Sequence, residues 1–235
     1  MRKLLNQTKK NMQEFYIQVK KIIDKHTKNK RFLETKKDLS MLTKNDLLVQ
    51  KNIIKLIRKF FPDVKQFICE ENFNLKNFKK INFQKPFAII DPIDGTENFF
   101  TQNEMYGSFI SINSKRFSKI DLIYLPANKL MITRTNISKI SKKSKKNNNI
   151  SVLSTKCLKK NYRGSNYRIY GSSAYSFYKF IIGEANEYIY CQGAKIWDCF
   201  TGLRLVNLIN CKVELKQKNW IEKPTFKTTF KLKWT

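Results

Sequence analysis

The stretch AIIDPIDGTENFF, residues 88–100, constrains this chain more than any other. Ala88, Ile89 and Ile90 read as the end of a buried strand, and Asp91 and Asp94 follow it three residues apart. A second apolar run, KQFICEEN, also ends on acids, Glu70 and Glu71. Two strands thus deliver carboxylates at their C-terminal ends, in a chain whose 47 Lys+Arg against 18 Asp+Glu give a net charge of +29.

Around these strands the pattern alternates. Met12, Phe15, Tyr16, Val19, Ile22 and Ile23 recur at helical spacing and predict a helix ending near His26. Leu47, Leu48, Ile53, Ile54, Ile57, Phe60 and Phe61 predict a second helix from about Asp46 to Phe61, stopped by Pro62. YGSFISIN, KIDLIYLP and NKLMITRT read as successive strands of an antiparallel sheet. Residues 136–149 hold five lysines and no acid, which reads as a solvated loop or linker. Beyond it come strands ISVLS and YRIY, a helix from about Ser173 to Ile182, a strand EYIYC and a helix starting near Asp198. The expected organisation is an α/β fold: an α+β half at 1–135, the linker at 136–149, and an α/β half at 150–235 that supplies Asp198.

At 41% hydrophobic and 13% aromatic residues the chain can bury a substantial core. The positive charge would concentrate phosphate-bearing partners. The lysines are nevertheless scattered instead of gathered in one binding element, so nucleic acid is not the favoured partner. Cys69, Cys157, Cys191, Cys199 and Cys211 form no CxxC pair, which predicts reduced thiols and a cytoplasmic location. No apolar stretch of ~20 residues predicts a membrane span.

Three acidic clusters therefore lie at element ends: Glu70 with Glu71, Asp91 with Asp94, and Asp198. Acids converging in a buried place repel one another unless a cation neutralises them. Oxygen ligands without histidine favour Mg²⁺ over zinc. Gly95 and Thr96 follow at once, where a beginning helix would present free N–H groups to an anion.

Taken together these segments resemble the inositol monophosphatase superfamily of Mg²⁺-dependent, lithium-sensitive phosphatases. DPIDGTENF is similar to that family's Asp-Pro-(Ile/Leu)-Asp-Gly-Thr signature, ICEEN to its Gly-Glu-Glu element and KIWDCFTG to its Trp-Asp-x-x-x-Gly element. KKDLSMLTKND, residues 36–46, resembles a Lys-x-Asp-x-Ser-x-x-Thr-x-x-Asp segment of several branches. The four occur in the family's order. The resemblance implies a layered αβαβα sandwich, here shortened at the C-terminus, and a homodimer. It also implies two or three Mg²⁺ ions. Glu70, Asp91 and the Ile93 carbonyl would hold the first, Asp91, Asp94 and Asp198 the second, and Asp46 with Glu70 a third through water. Thr96 and Glu70 would orient the attacking water, and the N–H groups of Gly95 and Thr96 would hold the substrate phosphate.

The chain departs from the family where Cys69 replaces a glycine and where LRLVNLINCKVEL follows Gly202. The resemblance implies hydrolysis of a small-molecule phosphate ester, with a polyol monophosphate such as inositol 1-phosphate as the first expectation. A 3'(2'),5'-bisphosphate nucleotide or histidinol phosphate is the alternative substrate. A nucleic-acid-binding or catalytically weak interaction protein is the alternative of another class.

Overall fold

The computed structural model describes residues 2–28, 32–35, 41–115, 118–141, 150–155, 157 and 166–235. Residues 36–40 of the KKDLSMLTKND segment and 142–149 of the lysine-rich loop lie outside them. The chain opens with helix α1 (Arg2–His26), hairpin strands β1 (Phe32–Thr35) and β2 (Met41–Thr43), and helix α2 (Lys44–Phe60). Then come β3 (Gln66–Cys69), α3 (Leu75–Phe78), β4 (Phe87–Asp94), α4 (Thr96–Phe100), β5 (Gly107–Ser114), β6 (Ser118–Leu125) and β7 (Leu130–Thr133). The remainder is α5 (Ile137–Ile140), β8 (Ser151–Leu153), β9 (Tyr167–Arg168), α6 (Ser173–Ile181), β10 (Glu187–Lys195), α7 (Ile196–Val206), β11 (Cys211–Leu215) and β12 (Lys227–Trp234).

Helix α2 starts at a reciprocal cap. The Thr43 side chain accepts from the Asp46 N–H, and Asp46 accepts from the Thr43 N–H. This fixes the helix so that Val49, Ile53, Leu56 and Ile57 face inward against Phe15, Val19 and Ile23 of α1. Leu47 and Leu48, expected on that apolar face, instead point outward and are exposed, because the cap sets the rotation of the first turn.

The first sheet has the order β3-β4-β5-β6-β7. Strand β4 pairs parallel with β3 and antiparallel with β5, and all eight of its residues are buried. A strand covered on both faces needs a continuous apolar run instead of alternation, which is why FAII reads as it does. Ala88 and Ile90 pack toward α1 and α2, while Phe87 and Ile89 pack toward α6 and α7. The second sheet, β11-β12-β10-β8-β9, lies beyond α6 and α7 and shares their core. The tail, for which the sequence reading assigned no element, supplies β11 and β12. Strand β12 pairs with β10 along its length, burying Thr228, Phe230 and Leu232 on alternate positions. Part of the expected linker is also structured, since 137–140 form α5 and Ile137 is buried.

Gly202 is where α6 and α7 touch. A Cβ there would come within 2.4 Å of the buried Phe177 ring. Gly202→Ala would gain about 1 kcal/mol of helix propensity. It would lose more to overpacking, typically about 1–3 kcal/mol. The expected result is a lower denaturation midpoint in urea, and an unchanged or higher midpoint would show that the two helices can part.

Asp121 of β6 is fully buried between two arginines, with Arg134 at 2.8 Å and Arg204 of α7 at 3.1 Å. It also accepts from Ser111 Oγ at 2.6 Å, and Ser111 contacts Thr201 Oγ1 at 2.9 Å. Cys157 and Cys191 form a disulfide, which corrects the expectation of five reduced thiols. Parallel pairing of β8 with β10 sets Leu153 opposite Ile189 and so brings the two cysteines together across 34 residues of sequence. Cys69, Cys199 and Cys211 remain free. No helix among the described residues is long and apolar enough to cross a membrane.

Candidate active site and metal centre

The acids converge because four elements end at one place. Parallel pairing of β3 with β4 sets Cys69 beside Ile90, and Glu70 N–H donates to Ile90 O at 3.2 Å. Glu70 is thereby brought level with Asp91. In a regular strand residues three apart point to opposite faces. The β4·β5 register shifts between Asp91 and Asp94, an irregularity that turns Asp94 back toward Asp91. Pro92 sits within it, its carbonyl accepting from Ser108 Oγ at 2.6 Å. Asp198 arrives from the first turn of α7, where its Oδ2 accepts from Lys195 N–H at 3.2 Å. Ligand oxygens of Asp91, Asp94 and Asp198 lie within 4.8 Å of one another. Glu70 lies outside that set, although its charge acts on all three.

The carboxylates differ in how far the protein occupies their oxygens. Asp94 Oδ2 accepts from Ser172 Oγ at 2.5 Å and from Ala174 N–H at 2.6 Å, at the start of α6. Asp46 Oδ2 accepts from both the N–H and the hydroxyl of Thr43, and Thr96 Oγ1 approaches Asp46 Oδ1 at 3.3 Å. Thr96 Oγ1 also lies 2.9 Å from the Ile93 carbonyl oxygen. Asp91, fully buried, has no hydrogen-bond partner on either oxygen among the described residues. A buried carboxylate left so is costly, and it fits a hard, oxygen-seeking divalent cation.

Burial first, and then the charges of Glu70, Asp94 and Asp198, hold the Asp91 carboxyl well above the usual carboxylate range. Burial pushes Asp94 up to about 6 against the opposing hydrogen bonds of Ser172 and Ala174. Burial, Glu70 and Asp94 push Asp198 up to about 8. Burial also raises the Cys69 thiol to about 12, so it is no thiolate nucleophile.

Gly95 connects β4 to α4 at φ +83°, and a Cβ there would meet Ser172 at 2.8 Å. Glycine is thus required both by the left-handed turn and by the approach of α6. Beside Asp94 and Asp198 opens a cavity of about 120 Å³, walled by hydroxyls of Ser154, Thr155, Ser173 and Tyr190. The sequence reading missed Ser172, Ala174 and this wall. The Gly-Ser-Ser run before a helical pattern was the available signal, since serine commonly caps a helix.

A profile of the inositol monophosphatase family matches residues 5–220. The 3'(2'),5'-bisphosphate nucleotidase CysQ of Haemophilus influenzae is 26% identical over 120 residues. That alignment spans 51% of this chain and 40% of the relative, less than half its length. Among solved structures, an IMPase/NADP phosphatase complexed with NADP and Ca²⁺ matches with a TM-score of 0.76 at 20% identity, over 97% of this chain and 91% of that one. Staphylococcal inositol monophosphatase-1, in an inhibitory complex soaked in 100 mM LiCl, gives a TM-score of 0.76 at 19% identity, over 97% and 90% of the two chains.

Proposed function

The chain belongs to the inositol monophosphatase family, and from that premise we propose that it is a Mg²⁺-dependent phosphomonoesterase acting on a small-molecule phosphate, a polyol monophosphate such as inositol 1-phosphate. The observation that carries this reading is Asp91, buried beside two further acids with both oxygens unpartnered among the described residues. Asp94 and Asp198 each keep one oxygen in a protein hydrogen bond, which leaves the other for a cation. Asp91 leaves both of its oxygens for a cation.

In this reading Glu70, Asp91 and the Ile93 carbonyl would hold one Mg²⁺, and Asp91, Asp94 and Asp198 would hold a second. Glu70 and Asp46 would support a third through water. Bound Mg²⁺ would lower the pKa of a coordinated water and neutralise charge developing on the phosphoryl and leaving oxygens. The chain's own work is positional. The Thr96 hydroxyl has one proton, which it gives to Ile93 O or to Asp46, so its lone pairs are left to accept from a water and aim it. Glu70 orients the same water from β3. The N–H groups of Gly95 and Thr96 would receive the phosphate oxygens, and the hydroxyl-walled cavity would receive the polyol. A second reading, a 3',5'-bisphosphate nucleotide, is favoured by the relative from Haemophilus influenzae.

Comparing kcat/KM for inositol 1-phosphate and adenosine 3',5'-bisphosphate in Mg²⁺ decides between them. A hundredfold preference for the nucleotide, about 2.7 kcal/mol of transition-state stabilisation, would replace the first reading with the second.

The raised carboxyls also set a pH dependence. A folded pKa above the unfolded value contributes stability that is present below about pH 4 and lost as pH rises through the folded pKa. For Asp94 and Asp198 that loss spans roughly pH 4 to 8 in metal-free protein. Protons and metal compete for the same oxygens. The rise in Tm on adding Mg²⁺ is therefore expected to grow from pH 5 to pH 8, measured by thermal unfolding against EDTA. A rise that is flat or falls with pH would remove these acids from the metal site.

A further inference from the structure

The far end of the first sheet carries a cluster of charged side chains around the buried Asp121. Arg204 and Arg134 share the single carboxylate of Asp121. Arg204 is 6% exposed, and its Nη2 is buried with no hydrogen-bond partner among the described residues. The same side chain lines a cavity of about 130 Å³ together with Asn113, Lys119 and Glu222, over the apolar floor of Phe87 and Phe200. That is far more than the ~10–15 Å³ that admits one water. Strand register explains the grouping. Phe87 pairs with Asn113 and Asn113 with Lys119, one pleat beyond the row that pairs Ser111 with Asp121. Phe87 lies seven residues before Asp94 on β4, about 23 Å along the strand at ~3.3 Å per residue, so this cavity is separate from the acid cluster.

We propose that this cavity is a binding site for a small tetrahedral oxyanion, phosphate or sulfate, held by the Arg204 guanidinium, the Asn113 amide and the Lys119 ammonium. A guanidinium held on Asp121 through Nε keeps its other N–H groups at fixed geometry, Nη2 among them without a hydrogen-bond partner among the described residues. Glu222 is an exposed member of the lining and opposes the anion instead of replacing it. The site does not depend on the proposed hydrolysis.

The test is thermal unfolding in EDTA, where the metal-free acids at the other end of β4 repel anions. Sodium sulfate and sodium phosphate are titrated separately against sodium chloride of matched ionic strength. Non-specific stabilisation by sulfate or phosphate is shared by all variants, so the comparison between variants carries the result. Wild type is expected to show saturable stabilisation. Lys119→Met is expected to raise the half-saturating concentration about fivefold, the loss of one partly exposed charge contact. Glu222→Gln is expected to lower it, and the remote Lys216→Met to leave it unchanged. Stabilisation by sulfate alone or phosphate alone identifies the oxyanion. The proposal is overturned if neither anion exceeds chloride, if Lys119→Met and Lys216→Met behave alike, or if Glu222→Gln weakens binding, which would make Glu222 the guanidinium's own partner.

Discussion

Asp91→Asn is expected to lower kcat/KM for phosphate release by at least about a thousandfold, some 4 kcal/mol of transition-state stabilisation, while the protein stays folded. The amide keeps the shape of the carboxylate but supplies one neutral oxygen where two charged ones stood. Asp94 and Asp198 each retain a protein hydrogen bond on one oxygen, so neither replaces the two open oxygens of Asp91. Stability should move the other way. Burial and four neighbouring acids, Glu70, Asp94, Asp198 and Glu71, raise the Asp91 carboxyl in the folded chain, and an amide removes that repulsion. The variant's Tm in EDTA should equal or exceed the wild type's, and the Mg²⁺-induced rise should shrink. Activity within a few fold of wild type would mean that Asp91 is not a ligand, whatever its burial.

Asp121→Ala is expected to cost about 3–5 kcal/mol, the largest stability effect of any single substitution considered. The reason is asymmetry. Asp121 lies fully buried between Arg134 and Arg204, and removing it leaves Arg204 charged and enclosed with no counter-ion. A buried ion pair is a weak source of net stability when intact, but breaking one side exposes the desolvation penalty of the other. Replacing both partners, as in Asp121→Leu with Arg204→Met, should therefore recover much of the loss. Urea midpoints of the single and double variants measure this. A double variant as unstable as the sum of the singles would show that packing, and not unpaired charge, carries the effect.

How much of this was readable beforehand depended on distance along the chain. Helices α1 and α2, the acid-bearing ends of β3 and β4 and the antiparallel run β5 to β7 follow from periodicity and local breakers within a dozen residues. So did the candidate acids, because they sit at the ends of apolar runs where a soluble chain has little reason to place them. The clamp of Ser172 and Ala174 on Asp94 spans about 80 residues and left only a cap signal. The Cys157–Cys191 bond arises from sheet register and the Asp121–Arg204 pair from the packing of α7 on β6, neither of which a local pattern encodes. Strand β12 was missed for a different reason. Its alternation of Thr228, Phe230 and Leu232 is present, but Thr229 and Lys231 between them and the flanking Lys227 and Lys233 leave only a short apolar stripe, and no element was assigned there. Leu47 and Leu48 err the other way, since apolar residues in a helix's first turn follow its cap and not its average stripe.

The central claim is that the acid cluster is a Mg²⁺ site, and calorimetric titration of Mg²⁺ into EDTA-stripped, dialysed protein tests it most directly. Run in buffers of different ionisation enthalpy, the titration reports ions bound and protons released together. Saturable binding of at least two ions, with net proton release at pH 7 from carboxyls held above their ordinary range, is the predicted result. No saturable binding at millimolar Mg²⁺, or binding that Asp91→Asn leaves intact, would contradict it.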